Sequence, residues 1–304
     1  MSEGRYLKDR VTLYLIFAAV IVAFAAAVLA LPYETIYVQD RAYLAVFLVT
    51  IILCVFVFIL GSLYNVLLWM HGKGLTGSPE GRFLRLVPKA LRFVLAGRFA
   101  RAVSVFVKDA LHLTRLRDRS LTRWTVHFLI MGGFAITFIL DLLVTFSLDI
   151  LHYQPMIDEE GWAKIWIRDF AFELAGFMVL LGLAVAAVRR FVQRPKMLRT
   201  ELPDAASILF LLAVVLGGFV LEGMGIAGRI PGHTVNAEYS FLGYIISLAM
   251  PASAGDIYDQ AWLVHAVMSA LLIAYIPFSK LFHMFTTPIA IELDGLLPKE
   301  AGRR

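Results

Sequence analysis

The stretch AWLVHAVMSALLIAYIPFSKLFHMF, residues 261–285, decides how this chain is read. Apart from Lys280 it carries no Asp, Glu, Lys or Arg, and it is long enough to cross a hydrocarbon core of about 30 Å as a helix. Its two histidines, His265 and His283, stand eighteen residues apart. At about 3.6 residues per turn that is five turns, which predicts both rings on one face of one helix, roughly 27 Å apart along its axis. Pro277 lies between them and removes a backbone hydrogen bond, so a bend is expected and the alignment is approximate.

Five more apolar blocks of comparable length precede this one. Of the 304 residues, 60% are hydrophobic, and the mean hydropathy is +0.77. Spans are expected near 11–31, 43–70, 124–147, 169–188, 205–226 and 261–285, an all-α polytopic bundle of six transmembrane helices, since a helix satisfies its backbone polar groups in lipid without closing into a barrel. The loops 1–10, 72–123, 189–204 and 286–304 carry 23 of the 28 Lys and Arg, against 4 in 32–42, 148–168 and 227–260. The positive-inside rule then predicts both chain ends on the cytoplasmic side. The net charge of +5 belongs to that inner belt and needs no nucleic acid to explain it; anionic lipid or an acidic partner surface suffices. The first block, preceded by Arg5, Lys8 and Arg10, is too long for a signal-peptide core and is read as an anchor.

Four parts are expected: a two-helix membrane hairpin (1–71), a basic amphipathic connector (72–121), a four-helix core (122–290) and a cytoplasmic tail (291–304). Within the connector, residues 82–119 alternate apolar and basic side chains, which suits either a lipid-bound helix or a platform for a cytoplasmic subunit. Segment 227–260, with an apolar run from Phe241 to Met250 too short to span, is expected to cap the outer end. The single cysteine, Cys54, excludes an internal disulfide and a four-cysteine iron–sulfur cluster, and reads as a small buried apolar residue.

Any redox group held here therefore needs ligands other than sulfur, and seven histidines are available. His127, one turn into the third span, and His283, at the end of the sixth, lie at the same depth. Two imidazoles at one depth on different helices meet the requirement of a six-coordinate haem iron. His265 lies at the opposite end of its span. His71, His112, His152 and His233 are expected to be interfacial or solvated. Gly132, Gly133 and Ala135 would let a flat macrocycle approach the third span, or serve ordinary helix packing.

Arg123-Trp124-x-x-His127, Gly132-Gly133-Phe134, Gly218-Phe219-x-x-Glu222-Gly223, His265, the run Pro277 to His283, and Pro288 together resemble the cytochrome b subunits related to the gamma subunit of respiratory nitrate reductase. Within that group they are most similar to the membrane subunits of heterodisulfide-reductase-like and sulfite-reduction-associated complexes. The resemblance covers roughly residues 120–290. It implies haem b between helices, exchange of electrons with menaquinone, a cytoplasmic iron–sulfur partner of heterodisulfide reductase type with further subunits, and the cytoplasmic membrane of an anaerobically respiring prokaryote. It also implies a second ligand ten residues after His127, where this chain has Thr137. One haem, a second five-coordinate haem on His265, or a substitute ligand such as His233 or His152 remain open, and two haems with unequal ligation is the reading favoured. Lys280 is placed to meet a haem propionate.

Quinone chemistry also needs proton acceptors. Asp141, Glu173 and Glu222 all fall in the outer half, each either a proton carrier or locally paired, for instance with Arg168 or Arg229. Glu222 is the preferred carrier because it falls within the matching Gly-Phe-x-x-Glu-Gly pattern. The alternatives are a secondary transporter coupled through the same three carboxylates, although no inverted repeat supports it, and a haem-bearing anchor that relays no electrons.

Overall fold

The structure, a computed structural model, describes residues 3–30, 40–71, 78–93, 114–193 and 201–287. His112, the middle of the connector (94–113), Pro288 and the tail 291–304 lie outside them.

Five of the long apolar blocks are helical throughout their described residues and the sixth is helical as far as Tyr275, and among the described residues there is no strand. The long helices are α1 (Glu3–Ala30), α2 (Arg41–Trp69), α5 (Leu121–Thr145), α6 (Phe172–Ala187), α7 (Leu202–Ala227) and α9 (Tyr258–Tyr275). Shorter ones are α3 (Pro79–Phe93), α4 (Thr114–Arg119) and α8 (Phe241–Ser247). Six segments are long and apolar enough to cross a membrane: 6–30, 41–69, 121–148, 164–193, 202–227 and 252–278. Their outward faces are apolar, with Val49, Leu53, Ile139 and Leu209 all more than half exposed, as a lipid-facing surface requires.

Sequence sets the helix starts. Asp40 caps α2, its Oδ1 accepting from the Ala42 N–H at 2.7 Å, and Ser120 caps α5 by accepting from the Arg123 N–H at 3.4 Å. Pro203 occupies the first turn of α7, where its missing N–H costs no helix bond.

The helix α5 packs closely along α6, while α9 packs against α2 and α7. Gly133 makes the first contact possible, because a Cβ there would stand 2.7 Å from the Ala175 carbonyl oxygen. Its role is thus helix packing, whereas Gly132 has only Met178, at 3.8 Å, before it. The shared core is Val179, Leu183, Leu211 and Leu272, flanked by Ile130 and Phe134.

The six segments leave two ends. At the basic end α5 begins, the sixth segment finishes, and α3 is tied to α1 by Arg10–Glu80 at 3.0 Å and by Ser78 donating to Asp9 at 3.0 Å. The opposite end is closed by α8 and the turns around it, so segment 227–260 forms the expected cap.

The sixth segment departs from expectation. It is not one helix carrying both histidines. The helix α9 stops at Tyr275, residues 276–278 form a 3-10 turn, Ser279 is extended, and a second 3-10 turn covers 280–282. Pro277 alone would only kink a helix. Here α2 holds the break open: Gly61 leaves room for Pro277 and Phe278, where a Cβ would lie 2.8 Å from each, and Asn65 Nδ2 donates to the Pro277 carbonyl at 2.7 Å.

Candidate functional site

At the basic end the break delivers His283 to His127. The ring centroids stand 5.9 Å apart with the planes at 55°. Two imidazoles bonded on opposite sides of one metal ion, through bonds of about 2 Å each, bring their centroids to roughly this distance. Both side chains are exposed. His283 Nδ1 lies 2.5 Å from the Lys280 carbonyl, which assigns the N–H to Nδ1 and leaves Nε2 with its lone pair for a metal. Among the described residues no group of three or more His, Cys, Asp or Glu could hold a metal ion. Two imidazoles complete an iron only when a macrocycle supplies the remaining donors, so the donor set fits haem and not a bare ion. Trp124 stacks on Phe128 at 5.4 Å, which places an aromatic face on each side of His127 in sequence.

Lys280, the expected propionate partner, is already engaged. Its Nζ lies 2.9 Å from Glu201 and 2.9 Å from Asp204, and Asp204 also takes Arg190 at 2.7 Å. The hydrogen bonds to Asp204 and Glu201 hold the Lys280 ammonium above its ordinary pKa. This clamp fixes the turn whose carbonyl orients His283.

His265 sits elsewhere. Its ring lies over Gly217 and Gly218 of α7, where added Cβ atoms would come within 3.1 Å of Nδ1 and 3.4 Å of Cε1. Nδ1 is buried and has no hydrogen-bond partner. A glycine cradle beneath a histidine with an unsatisfied nitrogen is compatible with a ligand on that ring. Thr137 does not meet it, because its hydroxyl donates to the Gly133 carbonyl of its own helix at 3.0 Å.

The opposite end holds a buried polar network. Residues 164–171 are π-helical, so residues five apart come together, and Lys164 meets Asp169 at 2.7 Å. Lys164 also donates to the Val235 carbonyl at 3.0 Å, and Arg168 to the Gly232 carbonyl at 2.9 Å. Glu173 accepts from the N–H groups of Leu242 and Gly243 at 2.5 and 2.8 Å. Asp141 is exposed on α5, apart from this group.

His233 is neither solvated nor a spare ligand. It is buried, its Nδ1 3.2 Å from Glu222 Oε2 and its Nε2 3.0 Å from the Tyr258 hydroxyl, so neither nitrogen is left for iron. His152 stays at the surface in a left-handed conformation, φ 47°. Sequence reasoning missed Tyr258, Asn65, Asp204 and the Lys164–Asp169 pair; of these only the acidic residue in the first turn of α7 left a visible signal.

The model of the nitrate reductase gamma subunit family matches residues 118–294, more than half of the chain, and the chain belongs to that family. It is a multi-pass membrane protein and a cytochrome b-like electron-transfer subunit, as the haem-binding family is. It is 28% identical over 255 residues to a subunit of the dihydromethanophenazine:CoB–CoM heterodisulfide reductase of Methanosarcina acetivorans, covering 79% of this chain and 87% of that one. The EtfAB:quinone oxidoreductase of Syntrophomonas wolfei is 25% identical over 199 residues, 60% of this chain and 26% of the relative. The nitrate reductase-like protein NarX of Mycobacterium tuberculosis is 26% identical over 119 residues, 38% of this chain and 18% of that one. No solved structure matches.

Proposed function

We propose that the chain is the b-type cytochrome subunit of a respiratory complex in a prokaryotic cytoplasmic membrane. It relays electrons between menaquinol at the outer side and a cytoplasmic iron–sulfur subunit of heterodisulfide reductase type. The observation that carries this is the apposition of His127 and His283 at 5.9 Å in a six-span member of a haem-binding family. The quinone in the name of one relative and the heterodisulfide reductase in the name of another support the two ends of the relay.

Haem b, when bound, supplies reversible one-electron transfer. His127 and His283 would hold it at the basic end, where the Lys280 carbonyl fixes the ring of His283. His265 is proposed as the single protein ligand of a second haem. The excess of Lys and Arg at the basic end supports placing that end in the cytoplasm. Residues 122–290 form the haem-binding core in this reading, and residues 1–71 a separate membrane hairpin.

Glu222 takes and hands on the protons released when quinol is oxidised. His233 and Tyr258, hydrogen-bonded in line with it, continue the route. Glu173, bound to the first N–H groups of α8, and the exposed Asp141 are less suited to that role.

The test is spectroscopic. Purified protein should give a low-spin b-type spectrum, and His127→Ala and His283→Ala should each abolish the same signal. A full bis-histidine spectrum surviving in either variant sinks the pairing. Quinol-driven haem reduction in liposomes then separates a relay from a tether.

A further inference from the structure

The break in the last membrane-crossing segment is gripped on both sides by the start of α7. On one side Ser207 Oγ stands 3.3 Å from the hydroxyl of Tyr275, the last residue of α9. On the other Asp204, three residues before Ser207 and on the same face of α7, lies 2.9 Å from Lys280 Nζ. Arg190, in the π-helical turn that follows α6, reaches the second oxygen of the same carboxylate at 2.7 Å. One side chain thus joins three segments at the basic end.

An acidic residue in a first helical turn has an ordinary use, since it suits the helix dipole. That use needs no cation, and Asp204 has two, from two other elements. Its side chain is 9% exposed, whereas that of Glu201, the other acid on Lys280, is 66% exposed. Water screens the Glu201 pair, so the hold on Lys280 rests on Asp204. The Lys280 carbonyl in turn accepts from His283 Nδ1 at 2.5 Å and from the His283 backbone N–H as well. A carbonyl that accepts from the far nitrogen of a ligating imidazole fixes the ring and makes the other nitrogen a stronger donor, which favours the oxidised state of a bound iron. We infer that Asp204 is a positioning residue for the haem that His127 and His283 would hold: through Lys280 it fixes the 280–283 turn, keeps the carbonyl on Nδ1 and lowers the reduction potential.

This inference rests on the bis-histidine reading above, and the experiment separates the two. Haem-loaded full-length protein in phosphatidylglycerol nanodiscs is titrated for its midpoint potential, and haem-free protein carrying isotopically labelled histidine reports the tautomer of His283 by magnetic resonance. Asp204→Asn should raise the potential enough to change the oxidised-to-reduced ratio at a fixed potential about tenfold, or about 59 mV for one electron. Lost charge and lost orientation push that variant the same way. Lys280→Met sets them against each other: removing a positive charge alone lowers the potential, whereas releasing the turn raises it. The Lys280 side chain is 58% exposed, so this change does not burden the core. A higher potential in both variants, with His283 passing from the Nδ1–H tautomer to a mixture, is the expected result. A potential that falls or stays in Lys280→Met, with the tautomer kept, overturns the role of Asp204 and leaves the ligand pair standing. Wild-type protein whose haem lacks a bis-histidine spectrum overturns both.

Discussion

The two ends of the bundle are built on opposite terms. At the opposite end Lys164, Arg168, Asp169, Glu173, His233 and Tyr258 are all buried and meet one another, loop carbonyls or, for Glu173, the first N–H groups of α8. At the basic end His127 and His283 are exposed, face each other, and are held by a broken helix and a clamp in which Lys280 and Glu201 are more than half exposed. The first end is tied together by its own side chains and backbone. The second brings two imidazoles from separate elements to 5.9 Å, one of them oriented by the Lys280 carbonyl. A buried network of internal contacts fixes a shape, whereas convergent exposed imidazoles suit a ligand.

The sharpest way to break this contrast is to remove one partner of the buried pair. Lys164→Met leaves Asp169 without its closest cation and frees the Val235 carbonyl. A loss of about 3–5 kcal/mol is expected. Thermal melting in detergent checks it, and a change of only a degree or two would mean that the cap is no firmer than the basic end.

Next in size is a functional effect. Glu222→Gln keeps the shape and hydrogen bond of the side chain but cannot take a proton as a carboxylate does. Quinol oxidation should slow on the order of 100-fold with haem content unchanged. Stopped-flow haem reduction measures it, and an unchanged rate removes Glu222 from the proton route.

A third substitution tests the basic end. Asn65→Leu removes the donor to Pro277 O and should cost about 1–3 kcal/mol. Because the same turn carries His283, the low-spin haem signal should broaden or shift in paramagnetic resonance. A native signal would show that α2 does not hold the break.

These residues also show what the sequence carries. The six spans were legible because about twenty apolar residues in a row have one reading in lipid. The common depth of His127 and His283 was legible because both lie at span ends. The route to that depth was not. Pro277 signals a weak point, but the full stop at Tyr275 depends on Gly61 and on an Asn65 contact 212 residues away in sequence. The Lys164–Asp169 pair was hidden because five-residue spacing puts side chains on different faces of an α-helix and together only in a π-helical turn. His233 looked like a loop histidine in water. It folds inward over Gly225, where a Cβ would stand 2.8 Å from the ring.

The loop that carries His233 gives the smallest and most specific effect. Glu159 accepts from the Thr234 hydroxyl at 2.5 Å and from the Gly232 N–H at 3.0 Å, one bond on each side of His233. The bond from Thr234, then that from Gly232, hold the Glu159 carboxyl below its ordinary value of 4.5. A depressed folded-state pKa contributes stability that is present above the unfolded value and is lost as pH falls through the folded one. Glu159→Gln should therefore lower the melting temperature slightly at pH 6, for a cost of about 0–1 kcal/mol at this surface site. Below the folded-state pKa, where the wild-type carboxyl is protonated, the two proteins should melt together. Because the buried network lies beneath this loop, amide exchange at 232–234 should rise in the variant at pH 6 while exchange in α5 stays unchanged. If exchange rises equally at both ends, the cap and the haem end form one cooperative unit, and the contrast between them is one of burial alone.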